Sequence, residues 1–235
     1  MNTTIYSDST YLQKNESWHE EDSPYKVGLV AKILAANDIA FGSIADIGCG
    51  AGLTTELMAR KYPHVTVHGY DVSPDAAGFW SRRTGENLQY FRTDFASSGR
   101  HYDVATCLDV FEHVEDYFGF IRAISRNATY VVFNVPLDMC VLKLLTPGIR
   151  RARERVGHLH YFNAYTATET IKDSGLEIVD SFLSNPFFTN LPRNPLQWLL
   201  LLPRMMLSLI SKRLCSTLLG SHSMVILARQ GPAQG

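Results

Sequence analysis

The run Asp46-Ile47-Gly48-Cys49-Gly50-Ala51-Gly52 constrains this chain more than any other stretch. It follows the short apolar segment Ser43–Ile47 and precedes a helical pattern over Leu53–Lys61. Glycines that alternate between a strand and a helix let the backbone turn tightly. They also let a ligand come close, with no Cβ in the way. The helix beyond offers unpaired N–H groups and the positive end of its dipole, where a carboxylate or a phosphate fits. Spacing separates the nucleotide-binding alternatives. A dinucleotide fingerprint reads GxGxxG, and here its third glycine would fall on Leu53. A P-loop ends in Gly-Lys-Ser/Thr, which is absent. What remains is DxGxGxG. Asp46 in that pattern would repel a pyrophosphate but suits a cationic amino group.

The rest of the chain alternates between strand and helix patterns, which predicts a parallel sheet covered by helices. Strands are expected at Ser43–Ile47, Val65–Tyr70, Leu88–Arg92, Asp103–Leu108, Thr129–Val135, Glu177–Leu183 and Ser223–Ala228. Ser23 reads as the N-cap of a helix over Pro24–Ala36. Further helices are expected at Leu53–Lys61, Pro74–Arg83, Val110–Arg126 and Thr166–Ser174. Asp109 with Glu112, and Thr166 with Glu169, have capping-box spacing, and Gly175 suits a C-cap. Residues 136–160 read as an irregular insertion, and 185–221 as a second, helical one. The expected organisation is a polar arm over 1–22 and one domain over 23–235. The 235 residues are 46% hydrophobic and 19% charged, enough for a single large core.

Further acids fall where expected strands end. Asp71 lies about twenty residues beyond the glycine turn. In a Rossmann-type unit an acid there binds ribose hydroxyls; the alternative is an Asp that only starts the turn Asp71-Val72-Ser73-Pro74. Asp94 ends the third strand and is placed to accept from an adenine amino group, with Phe95 packing on the ring; the alternative is an ordinary loop Asp. Cys107-Leu108-Asp109 closes the fourth strand, beside the first. Open α/β sheets bind ligands at the carboxyl ends of their strands, where the strand order reverses.

These residues, together with Leu108-Asp109-Val110-Phe111-Glu112-His113-Val114, resemble the class I S-adenosylmethionine-dependent methyltransferases. More narrowly, the chain is similar to the small-molecule branch that includes the ubiquinone-biosynthesis methyltransferases. The resemblance covers about Ser23 to Val135, with support from Gly157-His158-Leu159-His160-Tyr161-Phe162. It implies a Rossmann-like α/β fold with a seven-stranded, mostly parallel sheet, helices on both faces and an antiparallel last strand. It implies S-adenosyl-L-methionine as cofactor, with Asp46, Gly48, Cys49, Gly50 and Gly52 around the methionine part. Asp71 and Val72 would meet the ribose, Asp94 and Phe95 the adenine, and Leu108 would lie along the cofactor. The reaction implied is methyl transfer to a small-molecule acceptor, which fold and family do not identify.

On the acceptor side His113 is the first candidate for a general base, because its pKa lies near neutrality. His158 and His160 flank Leu159 ahead of Tyr161. If the segment is extended both histidines share a side, so His158, His160 and Tyr161 either face the acceptor or fix a loop. The four cysteines are scattered with no CxxC pair, so no metal site and no disulfide framework is expected, and a reduced, cytoplasmic setting is the simplest reading. The net charge of −1 argues against a nucleic-acid partner. The leucine-rich 185–221 insertion is broken by Pro203-Arg204 and is too short in its apolar runs for a transmembrane helix. It reads as a lid over an apolar, lipid-linked or glycan-linked acceptor, as a peripheral membrane contact over 189–219, or as a packing or dimer helix. The basic run Arg150–Arg155 suits an anionic acceptor, headgroups or a solvated face. Tyr6, Tyr11, Trp18 and Tyr25 could close the N-terminal arm over the cofactor. Three rivals stand beside this reading: a nicotinamide-dependent oxidoreductase, a non-catalytic cofactor-binding protein and a peripheral membrane protein. The shifted third glycine and the absence of a Tyr-xxx-Lys pair weigh against the first.

Overall fold

A computed structural model describes Trp18, residues 20–185 and residues 195–231. The expectations for Tyr6 and Tyr11, and most of the 1–22 arm, lie outside these residues. The described chain runs α1 (Ser23–Ala36), β1 (Ser43–Ile47), α2 (Leu53–Lys61), β2 (Thr66–Asp71), α3 (Pro74–Ala77), β3 (Leu88–Arg92), β4 (Tyr102–Leu108) and α4 (Tyr117–Arg126). It continues through β5 (Ala128–Pro136), α5 (Val141–Leu144), α6 (Gly148–Arg151), α7 (Ala164–Asp173), β6 (Leu176–Ser184), α8 (Pro195–Ile210), α9 (Lys212–Leu218) and β7 (Ser223–Gln230).

The strands form one sheet in the order β3-β2-β1-β4-β5-β7-β6. Pairing is parallel from β3 to β5, and β7 runs antiparallel to both β5 and β6. This is the expected Rossmann-like α/β architecture with its antiparallel last strand. Successive side chains of a strand point to opposite faces, so each central strand feeds two cores. Ile44, Val67, Val104, Val132 and Leu227 pack with Val30, Ile33 and Leu34 of α1 and Met58 of α2. Ala45, Tyr70, Ala105, Phe133 and Ile226 pack on the other face with Ile121 and Ile124 of α4 and Ile171 of α7. Because both faces are covered, the central strands read as apolar runs rather than as alternation.

Several local expectations are corrected. The cap of α1 is Asp22, whose side chain makes no capping bond to the helix, while Ser23 is buried and accepts from the Thr54 hydroxyl at 3.0 Å. The helix expected over Pro74–Arg83 closes after Ala77 and is followed by a single 3-10 turn at Trp80–Arg82. No capping box forms between Asp109 and Glu112. Phe111–His113 is a 3-10 turn, and α4 begins only at Tyr117, capped by Asp116 on the Gly119 N–H at 2.9 Å. Asp109 is drawn elsewhere, to Lys26 and Asn134. The box at α7 is built by Asn163 and Thr166, not by Thr166 and Glu169, so the helix starts two residues earlier. The 136–160 insertion contains α5, α6 and a wide turn over Ala152–Val156. The described part of the later insertion, from Pro195 on, is helical, and α8 continues through Pro203.

Candidate active site

Going along the chain, β2 and β3 are added on one side of β1 and β4 on the other, so the strand order reverses between β1 and β4. At the carboxyl ends of these strands lies a cavity of about 340 Å³. That volume lies within the range of small-molecule sites. Its floor is the glycine turn. Gly48, Gly50 and Gly52 have φ of +67°, +53° and +83°, the left-handed region that side chains resist. A Cβ on Gly48 would stand 2.7 Å from the Val110 side chain, and one on Gly52 would stand 2.7 Å from the Tyr90 ring. The turn is tied on all sides. The N–H groups of Gly48 and Cys49 donate to the Tyr70 carbonyl at 2.8 and 3.1 Å. Trp80 Nε1 donates to the Gly50 carbonyl at 2.9 Å, Arg83 Nε to that of Ala51 at 3.0 Å and the Tyr90 hydroxyl to that of Gly52 at 2.6 Å. The floor is therefore held by the protein itself and is preorganised for a ligand.

Asp71, at the end of β2, accepts from the Gly50 N–H at 2.9 Å through Oδ2 and from the Ser73 N–H at 2.8 Å through Oδ1. Burial raises its carboxyl pKa against these bonds. Each oxygen keeps lone-pair capacity towards the cavity that Asp71 lines. Asp46 is more deeply set. Its two oxygens accept from the hydroxyls of Thr55 and Thr106, both at 2.7 Å. Burial pushes its pKa up to about 6, with the threonine donors and Lys26 pulling the other way. Cys49 is a buried neutral thiol, held far above its ordinary pKa by burial and by Asp71. Val72, Asp94 and Leu108 line the cavity. Asp94 is also the cap of a short turn, accepting from the Ala96 N–H at 3.1 Å. Phe95 reaches the cavity only marginally. Its ring is 2% exposed and packs edge-on to Tyr70 and tilted against Tyr102, leaving little face for a base to stack on.

One charged residue at this end, Lys26, was not singled out from sequence. Lys26 comes from α1 and pairs with Asp109 at 2.8 Å. Burial would lower the Lys26 pKa, but the Asp109 carboxylate more than offsets it and the net shift is upward. Asp109 itself has φ of +60° and is held by Asn134, which donates to its carboxylate at 2.7 Å and receives its N–H at 2.9 Å. A residue without glycine's freedom in this region stores strain, which persists only when neighbours impose it. Trp18 lines the cavity as well, its ring 3.1 Å from where a Gly50 Cβ would be. Glu20 pairs with Arg83 and so anchors the start of the described chain beside the floor.

At the other end of the cavity, His113 and His158 meet edge to face, with ring centroids 4.8 Å apart. Burial first, and the second imidazole next, lower the His113 pKa to about 3, so His113 is neutral and a weak proton acceptor. Its Nδ1 lies 3.2 Å from the Gly157 carbonyl. Glu112 is fully buried with neither carboxylate oxygen hydrogen-bonded, and burial together with Asp109 holds it protonated far above the usual range. The alternation expected of His158 and His160 does not hold. Gly157 sits at φ +81° and turns the segment, and the Leu159 and His160 N–H groups both donate to the Glu112 carbonyl. His158 lines the cavity. His160 turns away to the Val114 carbonyl at 3.0 Å and the Tyr117 ring, and Tyr161 donates its hydroxyl to the His158 carbonyl at 3.1 Å. His160 and Tyr161 therefore shape the loop and do not face the cavity.

A family model described as a methyltransferase domain matches residues 18–181. A ubiquinone biosynthesis O-methyltransferase of Saccharophagus degradans is 32% identical over 130 residues, 47% of this chain and 55% of the relative. The chain thus matches only about half the length of that relative. Among solved structures, magnesium protoporphyrin IX methyltransferase from Synechocystis PCC 6803, with bound SAH, superposes with a TM-score of 0.59 at 17% identity, covering 93% of this chain and 86% of that one. The plantazolicin methyltransferase BpumL, in complex with a monoazolic desmethylPZN analog and SAH, gives 0.63 at 15% identity over 97% and 93%. These likenesses bear on the fold. With the family match over most of the chain and the glycine floor flanked by Asp46 and Asp71, they show that the chain belongs to the methyltransferase-domain family, in the class I group that uses S-adenosylmethionine.

Proposed function

We propose that this chain transfers the methyl group of S-adenosylmethionine to a small-molecule acceptor. The observation that carries the reading is the pairing of opposite charges at one end of a single cavity. A methionine group is a zwitterion and needs a cation and an anion side by side. Lys26 supplies the cation for its carboxylate, aided by the unpaired first N–H groups of α2 at Leu53 and Thr54, which line the cavity. Asp46 supplies the anion for its ammonium group, since a nearby cation favours the ionised form of an acid that burial holds near pH 6. Asp71 takes the ribose hydroxyls and Asp94 the adenine amino group, while Gly48, Gly50, Gly52, Cys49, Val72 and Leu108 provide close contact. Phe95 is demoted to supporting Tyr70.

The bound cofactor would bring a methyl group already activated as a sulfonium. What the chain adds is alignment, which contributes on the order of 7–11 kcal/mol in favourable cases, and a dry, fixed surround. Val114, Phe120, Pro136 and Val156 line the acceptor side and favour an apolar or partly apolar molecule. The test is incubation with methyl-labelled S-adenosylmethionine and a library of hydroxyl, amine and carboxylate acceptors. Label in one of these molecules, with matching S-adenosylhomocysteine, is the expected outcome. Tight cofactor binding with no acceptor-dependent release would favour the non-catalytic alternative.

A second observation concerns where the chain acts. On α8, Leu199, Leu202, Met206, Leu209 and Ile210 are 59–85% exposed, and Trp198 is 57% exposed. No acidic residue occurs between Asn185 and Ser221, and Lys212 and Arg213 follow directly. Among the described residues no helix is long and apolar enough to cross a membrane. We therefore propose peripheral contact of this helix with an anionic membrane surface on the cytoplasmic side, the free, buried state of all four cysteines supporting a reducing compartment. Residues 189–194 of the expected 189–219 contact lie outside the described residues. In vesicle flotation the protein is expected to rise with phosphatidylglycerol-containing vesicles and to stay down with L209D/I210D. Equal flotation of the two would remove the proposal.

A further inference from the structure

The residue expected from sequence to act as base, His113, is poorly suited to it, being buried, neutral and held by the Gly157 carbonyl. Its neighbour is differently placed. His158 Nδ1 lies 2.5 Å from Asp138 Oδ2, inside the protein. Asp138 also forms an ion pair with Lys143 of α5. Burial would raise the Asp138 pKa, but the hydrogen bond from His158 and the charge of Lys143 outweigh it, and the acid stays ionised well below the ordinary carboxylate range. An ionised partner accepts, so Nδ1 carries a proton, and in the neutral ring Nε2 is the nitrogen left bare. His158 lines the same cavity as the glycine floor.

We propose that His158 is the catalytic base of the methyl transfer and that Asp138 is its positioning residue. This rests on the methyltransferase reading above. The arrangement is that of a nucleophile's base oriented by a third group: a carboxylate fixes the tautomer and stabilises the imidazolium that forms. His158 Nε2 takes the proton from a hydroxyl or amine of the acceptor as that atom bonds to the methyl carbon. The methyl–sulfur bond breaks with its electron pair going to sulfur, which becomes a neutral thioether. The proton on His158 then passes to water. Lys143 keeps Asp138 ionised, and Tyr161, bonded to the His158 carbonyl, steadies the backbone that carries the ring. His113 packs against the imidazole from the 3-10 turn over Phe111–His113, with protonated Glu112 behind it. These two add no positive charge to the pocket.

Asp138 and His158 are twenty residues apart, on opposite sides of the α5–α6 insertion, and meet only in the folded chain. The test is long-range proton–nitrogen NMR of the ¹⁵N-histidine-labelled protein with S-adenosylhomocysteine, joined to steady-state rates on an acceptor returned by the label-transfer library. At pH 7.5, His158 is expected to be the Nδ1-H tautomer, and Asp138→Asn is expected to abolish that preference. His158→Gln should lower kcat about a hundredfold and Asp138→Asn about tenfold, on the scale of general-base catalysis, with KM for S-adenosylmethionine unchanged in both. His113→Gln should keep most of the rate. An Nε2-H tautomer in the wild type overturns the proposal, even if no acceptor has been found. Unchanged kcat in His158→Gln, or selective broadening of the His113 and His158 signals by equimolar Mn²⁺, overturns it as well. None of these outcomes touches cofactor binding, so they leave the methyltransferase reading separately testable.

Discussion

Replacing Asp71 by alanine is expected to weaken binding of S-adenosylmethionine about a thousandfold. The carboxylate is expected to hold both ribose hydroxyls, and hydrogen bonds to a charged group are each worth about 1.5–3 kcal/mol. It also orients the glycine floor through the Gly50 N–H and the following turn through the Ser73 N–H. Removing it loosens the loop as well as the ligand contact. About 4 kcal/mol in total corresponds to three powers of ten in Kd. Asp71→Asn separates the two parts. An amide oxygen still accepts from one backbone N–H and one hydroxyl but without the charge, so the loss should be about thirtyfold. A change below threefold in both variants would mean that Asp71 only starts a turn.

The second large effect lies in the floor itself. Gly48→Val is expected to lower the melting temperature by about 10 °C and to leave no measurable cofactor binding. At φ +67° a non-glycine residue costs about 1–2 kcal/mol, more when β-branched. Its Cβ would also be driven to 2.7 Å from Val110, and overpacking of this kind costs about 1–3 kcal/mol. For a domain of this size each kcal/mol is worth roughly 2–4 °C. Val110→Ala should recover the packing part of the loss in Gly48→Ala and not the backbone part. That non-additivity is the signature of two residues in contact. Thermal melts of the two singles and the double variant measure it. Equal stability of Gly48→Ala and the wild type would show that the turn is not under this constraint.

The features that were legible in the sequence are those whose physics is local. Gly48, Gly50 and Gly52 announce a left-handed turn because only glycine accepts that backbone cheaply, and strand-ending Asp71 is placed by the parallel sheet alone. The apolar runs at Ile44–Ile47 and Val131–Phe133 gave away central strands because both faces of the sheet are covered. Lys26 was not legible. It is one of two lysines on a mostly apolar helix, and only the crossing of α1 over the carboxyl ends of the sheet brings it to Asp109, 83 positions later in the chain. The Asp109–Glu112 spacing pointed to a helix cap, but long-range partners took the carboxylate. His158 and His160 share a pattern that extended backbone would put on one side; the left-handed Gly157 and the Glu112 carbonyl divide them. The base pair of Asp138 and His158 needs the insertion to fold back, which no local spacing encodes.

The central claim is that the glycine floor with Asp46, Lys26 and Asp71 holds S-adenosylmethionine. Calorimetric titration of the wild-type protein with S-adenosylmethionine, S-adenosylhomocysteine and NADH tests it most directly. The expected result is one site for each sulfur nucleotide and no heat from NADH. Saturable binding of NADH, or a folded protein that binds neither sulfur nucleotide, would contradict it.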